Sequence, residues 1–69
     1  MNYKIECERE IDGRWIAEVP QLPGVLAYGK SSDEAMAKAE VLALRVLADR
    51  LENDETPAIN INISITHAA

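Results

Sequence analysis

The segment from Val19 to Val25, with the sequence VPQLPGV, constrains the fold of this chain more than any other stretch. Proline fixes φ and lacks an N–H donor, so a stretch with two prolines and a glycine cannot lie inside a hydrogen-bonded sheet. Apolar segments of strand type flank it on both sides. We therefore predict a rigid turn that joins two strands at this place.

Two strands are predicted before this turn. Apolar and polar residues alternate over Tyr3–Glu8, which indicates a strand with one buried face. In the second strand, Trp15–Val19, the odd-numbered residues form the inward face, and Ile16 and Glu18 point the other way. Asp12-Gly13 lies between them and is a strong hairpin signal, because both residues tolerate positive φ. The side chains predicted to face inward are Tyr3, Ile5, Cys7, Trp15, Ala17 and Val19.

The third predicted strand, Val25–Gly29, is apolar on both faces. Alternation places Val25 and Ala27 on one face and Leu26 and Tyr28 on the other. A strand of this kind usually has a covering layer on each side. The single helix predicted below cannot cover both faces of the sheet, however. The other face is expected to carry Lys4, Glu6, Glu18, Asn60 and Asn62, with Ile16, Leu26 and Tyr28 among them.

A single helix is predicted from Ser32 to about Glu52. Ser31 and Glu34 have the spacing of a capping box, in which the Ser31 hydroxyl accepts from the Glu34 N–H and the Glu34 carboxylate accepts from the Ser31 N–H. The segment contains no glycine or proline and is rich in alanine, leucine, glutamate and arginine. Residues 53–57, which contain asparagine, aspartate and proline, end the helix.

The last segment predicts a fourth strand. Isoleucines alternate with polar residues from Ile59 to Thr66, so one face is apolar and the other polar. The predicted order is β-β-β-α-β, an α+β fold in one domain that spans residues 1–69. The first three strands form an antiparallel meander, and the one long helix packs on one face of the sheet.

The predicted helix carries more apolar surface than one sheet can cover. At about 100° per residue, one apolar arc suits the sheet and a second lies well away from it. The second arc predicts a surface for a partner or a second copy, unless its residues are present only as strong helix formers. The first arc comprises Ala35, Ala39, Leu42, Ala43 and Val46. The second comprises Ala37, Val41, Leu44, Ala48 and Leu51, and the candidate surface residues are Val41, Leu44, Ala48 and Leu51.

Length and charge limit the functions that this chain can have. A domain of 69 residues usually gains stability from a disulfide, a metal or a partner. Cys7 and His67 are the only residues of their types, so we expect no disulfide and no metal site, and we predict a homo-oligomer, either a dimer or a tetramer. The net charge of −5 disfavours direct binding of nucleic acid. The lack of a signal peptide and of a membrane-length apolar run predicts a cytoplasmic protein without a membrane association.

No group of side chains in the sequence predicts an enzyme or a cofactor site. The acidic residues from Glu6 to Asp12 follow the first strand and its turn, which indicates a solvated strand rather than a pair of catalytic acids. Cys7 lies on the apolar face and is predicted to be an inert core residue. Ser31 is accounted for by its capping role.

Three short motifs resemble the HicB antitoxin family in their order and spacing. They are DGRW at residues 12–15, VPQLPG at residues 19–24 and GKSSDEA at residues 29–35. They are similar to that family's D-G-aromatic hairpin, its P-x-L-P-G turn and its helix start of the form G-[DK]-[ST]-x-x-E-A.

The resemblance implies a partial RNase H-like fold without the catalytic acids of that fold. It also implies that the chain binds a small, basic, mRNA-cleaving toxin of the HicA type and covers its active site. The acidic balance agrees with such a partner, since opposite potentials aid association. Many members of the family carry a C-terminal DNA-binding domain, and this chain stops before one, so direct DNA binding is not expected. The alternative is an orphan, self-associating binding domain of unassigned function.

Overall fold

A computed structural model of the chain describes residues 2–53 and 64–68. Its elements are β1 (Asn2–Arg9), β2 (Trp15–Glu18), β3 (Leu26–Gly29), α1 (Ser32–Glu52) and β4 (Ser64–Ala68). The strands form one sheet in the order β3-β2-β1-β4, in which β1, β2 and β3 pair antiparallel and β4 lies parallel to β1. The antiparallel meander and the single helix confirm the α+β class and the predicted bounds of the helix.

The fourth strand is described only from Ser64 onward. Residues 59–63, whose isoleucine alternation predicted this strand, lie outside the described residues. The alternation itself therefore stays a prediction. The helix stop signal at residues 54–57 also lies outside the described residues and stays a prediction. The helix ends at Glu52, and its C-cap is Asn53, whose N–H donates to the Asp49 carbonyl at 3.0 Å.

The core lies between α1 and one face of the meander. The predicted inward residues of β1 are buried, and so are Ala17 and Val19, while Trp15 is only partly buried. On the helix, the alanines of the first arc are buried and its two larger residues pack at the border of the core. Met36 and Leu47 are buried as well, although they lie outside the first arc. The buried side of the helix is therefore rotated towards these two residues relative to the predicted arc. Every buried side chain between residues 3 and 53 is apolar.

The first hairpin forms at Asp12-Gly13, but its loop is longer than a two-residue turn. The Gly13 N–H donates to the Glu10 carbonyl at 3.0 Å, and the Glu10 N–H donates to the Arg14 carbonyl at 2.7 Å. Gly13 has φ of 93°, which is the left-handed conformation that closes a three-residue hairpin loop. The Asp12 carboxylate accepts from the backbone N–H of Arg14 at 3.0 Å and from its Nε at 2.7 Å, so the loop is held at both sides.

The proline segment forms two β-turns in succession, as a rigid turn requires. The Leu22 N–H donates to the Val19 carbonyl at 2.9 Å, and the Val25 N–H donates to the Leu22 carbonyl at 3.1 Å. The Val19 N–H closes the loop on the Val25 carbonyl at 3.0 Å. Each turn has proline at its second position, and Gly24 has φ of 86° at the third position of the second turn, as in a type II turn. Leu22 is 1% exposed, so this loop also fills the core.

The helix begins with the predicted serine cap. The Ser31 hydroxyl accepts from the Glu34 N–H at 3.1 Å. The Glu34 carboxylate reaches one residue further back than the capping box predicts, and it accepts from the Lys30 N–H at 3.3 Å and from the Lys38 ammonium at 3.2 Å. Three polar contacts therefore order the first turn of α1 at its exposed side.

Gly29 lies where the end of β3 meets the first turn of α1. A Cβ atom at this position would be 2.5 Å from the Ala35 backbone nitrogen and 3.0 Å from the Glu34 Cβ. These distances are shorter than real Cβ contacts, so only glycine allows the strand and the helix to approach this closely. The first and seventh positions of the GKSSDEA motif thus share one packing contact, because Ala35 is itself 0% exposed.

We predict that Gly29→Ala lowers the free energy of unfolding by about 1–3 kcal/mol, because strand or helix must shift to admit the methyl group. Urea denaturation followed by circular dichroism measures this change. Gln21→Ala is the control, since Gln21 is exposed on the proline loop and does not belong to the core. Equal losses in both variants would contradict the packing explanation.

Candidate functional site

The described part of the chain exposes large apolar side chains on both of its broad sides. Val41 and Leu44 are 47% and 46% exposed on the outer side of α1. Leu26 and Tyr28 are 43% and 39% exposed on the sheet face that α1 does not cover. Ile11 is fully exposed at the hairpin tip. The first two pairs define separate candidate surfaces for a partner.

The outer helix seam consists of Ala37, Val41, Leu44, Ala48 and Leu51. It points away from the sheet, whose contacts with α1 involve the opposite side of the helix. Three of the four candidate surface residues, Val41, Leu44 and Ala48, are exposed, and Leu51 is half-buried at the border of the seam. The apolar arc is thus accessible, and its contact with a partner stays a prediction.

The open sheet face is the second surface. In the strand register Ile16 lies opposite Tyr28 and Glu18 lies opposite Leu26, so three apolar side chains are neighbours on this face. The guanidinium of Arg14 lies 4.4 Å from the centre of the Tyr28 ring, in a cation–π arrangement. Within residues 2–53 and 64–68 one helix covers only one face of the third strand, as the sequence predicted, and Leu26 and Tyr28 are exposed on the other face.

Carboxylates gather beside these apolar side chains. Glu6 lies directly opposite Glu18 in the register of β1 and β2. Like charges at directly opposed positions of an antiparallel pair destabilise the sheet. A shallow depression of about 160 Å³ lies at this point of the face, lined by Glu6, Cys7, Glu8, Glu10, Ile16 and Glu18. The solvated face predicted for β1 is confirmed, and Glu18 lies on the same face as Glu6, as the sequence predicted. The strand register adds that the two residues are directly opposed.

The described ranges offer no metal site. No group of three or more histidine, cysteine, aspartate or glutamate side chains there could hold a metal ion. Burial raises the pKa of the Cys7 thiol, and the negative charge of Asp33 raises it further, so the thiol stays protonated near neutral pH. Cys7 is thus the inert core residue that the sequence predicted.

Two exposed carboxylates titrate at lower pH than usual for local reasons. The Lys38 ammonium, and then the Lys30 N–H, lower the pKa of Glu34. The backbone N–H of Arg14, with further help from its side chain, lowers the pKa of Asp12. Both carboxylates hold loop and helix ends in place, so their charges are structural and lie outside the open sheet face.

Repulsion between Glu6 and Glu18 predicts that their removal stabilises the fold. Glu6→Gln and Glu18→Gln should each raise the free energy of unfolding, by about 0.2–1 kcal/mol, because the opposed charge is relieved. The double variant should gain less than the two single gains together, because either change already removes the repulsion. Urea denaturation of all four proteins in a double-mutant cycle measures this, and additive gains would speak against a direct repulsion.

The lowered pKa of Glu34 predicts how stability depends on pH. A carboxylate with a lower pKa in the folded state contributes stability above its unfolded pKa of roughly 4.3 and loses it as the pH falls through the folded value. We therefore expect Glu34→Gln to be less stable than the unmodified chain at pH 7 and equally stable in acid below the folded value. Urea midpoints at several pH values test this, and a difference that persists in strong acid would refute it.

No family model matches this chain, and neither the curated proteins nor the solved structures provide a match. Within the described residues, no helix combines the length and the apolar character that a membrane crossing requires. The similarity to the HicB family therefore depends on the three motifs alone. The open sheet face and the outer helix seam are the two candidate binding surfaces.

Proposed function

We propose that this chain is a HicB-like antitoxin domain with a partial RNase H-like fold. It binds a small, basic, mRNA-cleaving toxin of the HicA type and covers its active site. The observation that carries this proposal is the open sheet face, where carboxylates and exposed apolar side chains lie side by side. The proposed place of action is the cytoplasm, where the mRNA substrate of such a toxin lies.

The charges of the open face favour a basic partner. Glu6 and Glu18 repel each other across the two strands, and Glu8 and Glu10 line the same depression. Arginine or lysine side chains of a partner would replace this repulsion with attraction, which speeds association and disfavours acidic competitors. A nuclease that binds RNA must itself present a basic surface, because it has to contact phosphates. The two surfaces therefore complement each other in charge.

The apolar part of the face supports binding rather than simple solvation. Leu26 and Tyr28 extend the acidic depression towards the β3 edge. In the strand register Ile16 lies between Tyr28 and Glu8, and Glu18 lies between Leu26 and Glu6. Tyrosine and arginine are enriched at the cores of protein interfaces, and Arg14 already stacks on Tyr28. A partner that covers these side chains would remove apolar surface from water in addition to pairing charges.

The three motifs act as scaffold in this proposal. The hairpin loop orders Arg14, the proline loop sets the start of β3, and Gly29 allows β3 to lie close to α1. Each motif thus positions the strands that form the open face without contributing a catalytic group. Inhibition in this mechanism is steric and electrostatic, since the antitoxin only has to prevent RNA from reaching the toxin, and the chain is not an enzyme.

The alternative function, an orphan self-associating domain, is favoured by the outer helix seam. This seam is apolar and exposed, and it carries no excess of charge that would attract a basic toxin. Self-association is compatible with the antitoxin proposal as well, because the seam and the open face lie on opposite sides of the chain.

Co-expression with the small basic protein encoded beside this gene tests the proposed function. The unmodified chain should restore the growth of cells that express the toxin. The double variant Glu8→Lys with Glu18→Lys should not, because charge reversal at the open face repels a basic partner. Asp49→Lys with Glu52→Lys changes the net charge equally on the helix and should still restore growth.

The outcomes of this test are distinct. A neighbouring protein that is not toxic, or toxicity that persists beside the unmodified chain, overturns the antitoxin proposal. Equal loss of rescue in both double variants would show that net charge, and not the open face, determines binding. Binding of the purified proteins should also weaken steeply as the salt concentration rises.

A further inference from the structure

We propose that the outer helix seam pairs two copies of this chain as a parallel helix dimer. The inference goes beyond the antitoxin function and does not depend on it. The seam residues are spaced by four, three, four and three positions, which is the a/d repeat of a coiled coil. Val41 and Ala48 take the a positions of this repeat, and Ala37, Leu44 and Leu51 take the d positions.

Within the described residues, no packing contact with the sheet accounts for the apolar character of the seam. All five buried residues of α1 lie on the side that faces the sheet. Val41 and Leu44 nevertheless leave nearly half of their surface in water, and no charged residue interrupts the seam positions between Ala37 and Leu51. The seam spans about 21 Å of helix at roughly 1.5 Å per residue. A second helix along this line would cover the exposed valine and leucine side chains, with small alanines on either side that permit close approach.

The charges beside the seam identify a second copy as the occupant. Asp33 and Glu40 lie along one edge, at g positions, and Lys38 and Arg45 lie along the other edge, at e positions. In a parallel pair each g residue faces the e residue five positions further along the second helix. Asp33 would then face Lys38 of the other copy, and Glu40 would face Arg45. An antiparallel pair would instead place the basic edges together.

Two further features agree with a dimer. Valine at a with leucine at d favours two helices over three or four in a parallel coiled coil. The sheet behind each helix would lie on the outside of the pair, so both open sheet faces remain accessible. Pairing through the seam would bury additional apolar surface, which a domain of 69 residues needs in order to gain stability.

Sedimentation equilibrium over a range of protein concentrations tests the dimer. The unmodified chain should reach twice its monomer mass of 7.6 kDa. Leu44→Glu should weaken the association by about 30-fold or more, as expected for the loss of a central interface residue. Leu26→Glu is the matched control, since Leu26 is similarly exposed at 43% but lies on the open sheet face, and it should leave the mass unchanged. Circular dichroism verifies that both variants fold.

A charge exchange tests the parallel arrangement. Arg45→Glu should weaken the dimer because a glutamate at position 45 would then face Glu40 of the other copy. Adding Glu40→Arg in the same chain should restore the dimer. A monomer at every concentration, or a dimer that persists in Leu44→Glu, overturns the proposal. A dimer lost in Leu26→Glu and kept in Leu44→Glu would assign self-association to the open sheet face instead. An unaffected dimer in Arg45→Glu rules out the parallel pairing.

Discussion

The close contact between α1 and one face of the meander is the interaction on which the rest of the structure depends. Ala35, Ala39 and Ala43 are completely buried in this contact, and Gly29 has no side chain where the strand meets the helix. Because the helix contributes mostly small side chains, it can lie close to the sheet. The large buried side chains come from the sheet and the proline loop, and the largest of them are Ile5, Leu22 and Val19.

A single helix in this position leaves two broad surfaces without cover in the described part of the chain. One is the open sheet face, where opposed glutamates lie beside Leu26 and Tyr28. The other is the outer helix seam, which is apolar over about four turns at roughly 3.6 residues per turn. The two surfaces differ in charge, and we propose a different partner for each: a basic protein for the sheet face and a second copy for the seam. They also lie on opposite sides, so one molecule could use both at once.

In the proposed function this chain supplies no catalytic group. Cys7 is buried with a raised pKa, Ser31 is engaged as a helix cap, and the carboxylates with lowered pKa values order loop and helix ends. The motifs that resemble the HicB family coincide with the tightest backbone geometry: the left-handed glycines, the double turn and the contact of Gly29 with α1. They specify a scaffold, and the proposed function is assigned to the surfaces that this scaffold positions.

Local patterns in the sequence were sufficient to predict the helix Ser32–Glu52 with its serine cap, the first hairpin, the proline turn and the buried alternation of β1. These features depend on neighbours within a few residues, where propensity, capping and alternation act directly. The same patterns identified the outer helix seam, because a second apolar arc is visible in the periodicity of the helix.

Tertiary structure alone decided the features that depend on register and orientation. Alternation places Glu6 and Glu18 on one face, but only the pairing register of β1 and β2 sets them directly opposite each other. Leu22 looks like a loop residue in the sequence but is buried because the double turn carries it into the hydrophobic core. The rotation of α1, which buries Met36 and Leu47, follows from packing against three strands at once. Such contacts join residues far apart in the chain, and their geometry is not present in any local pattern.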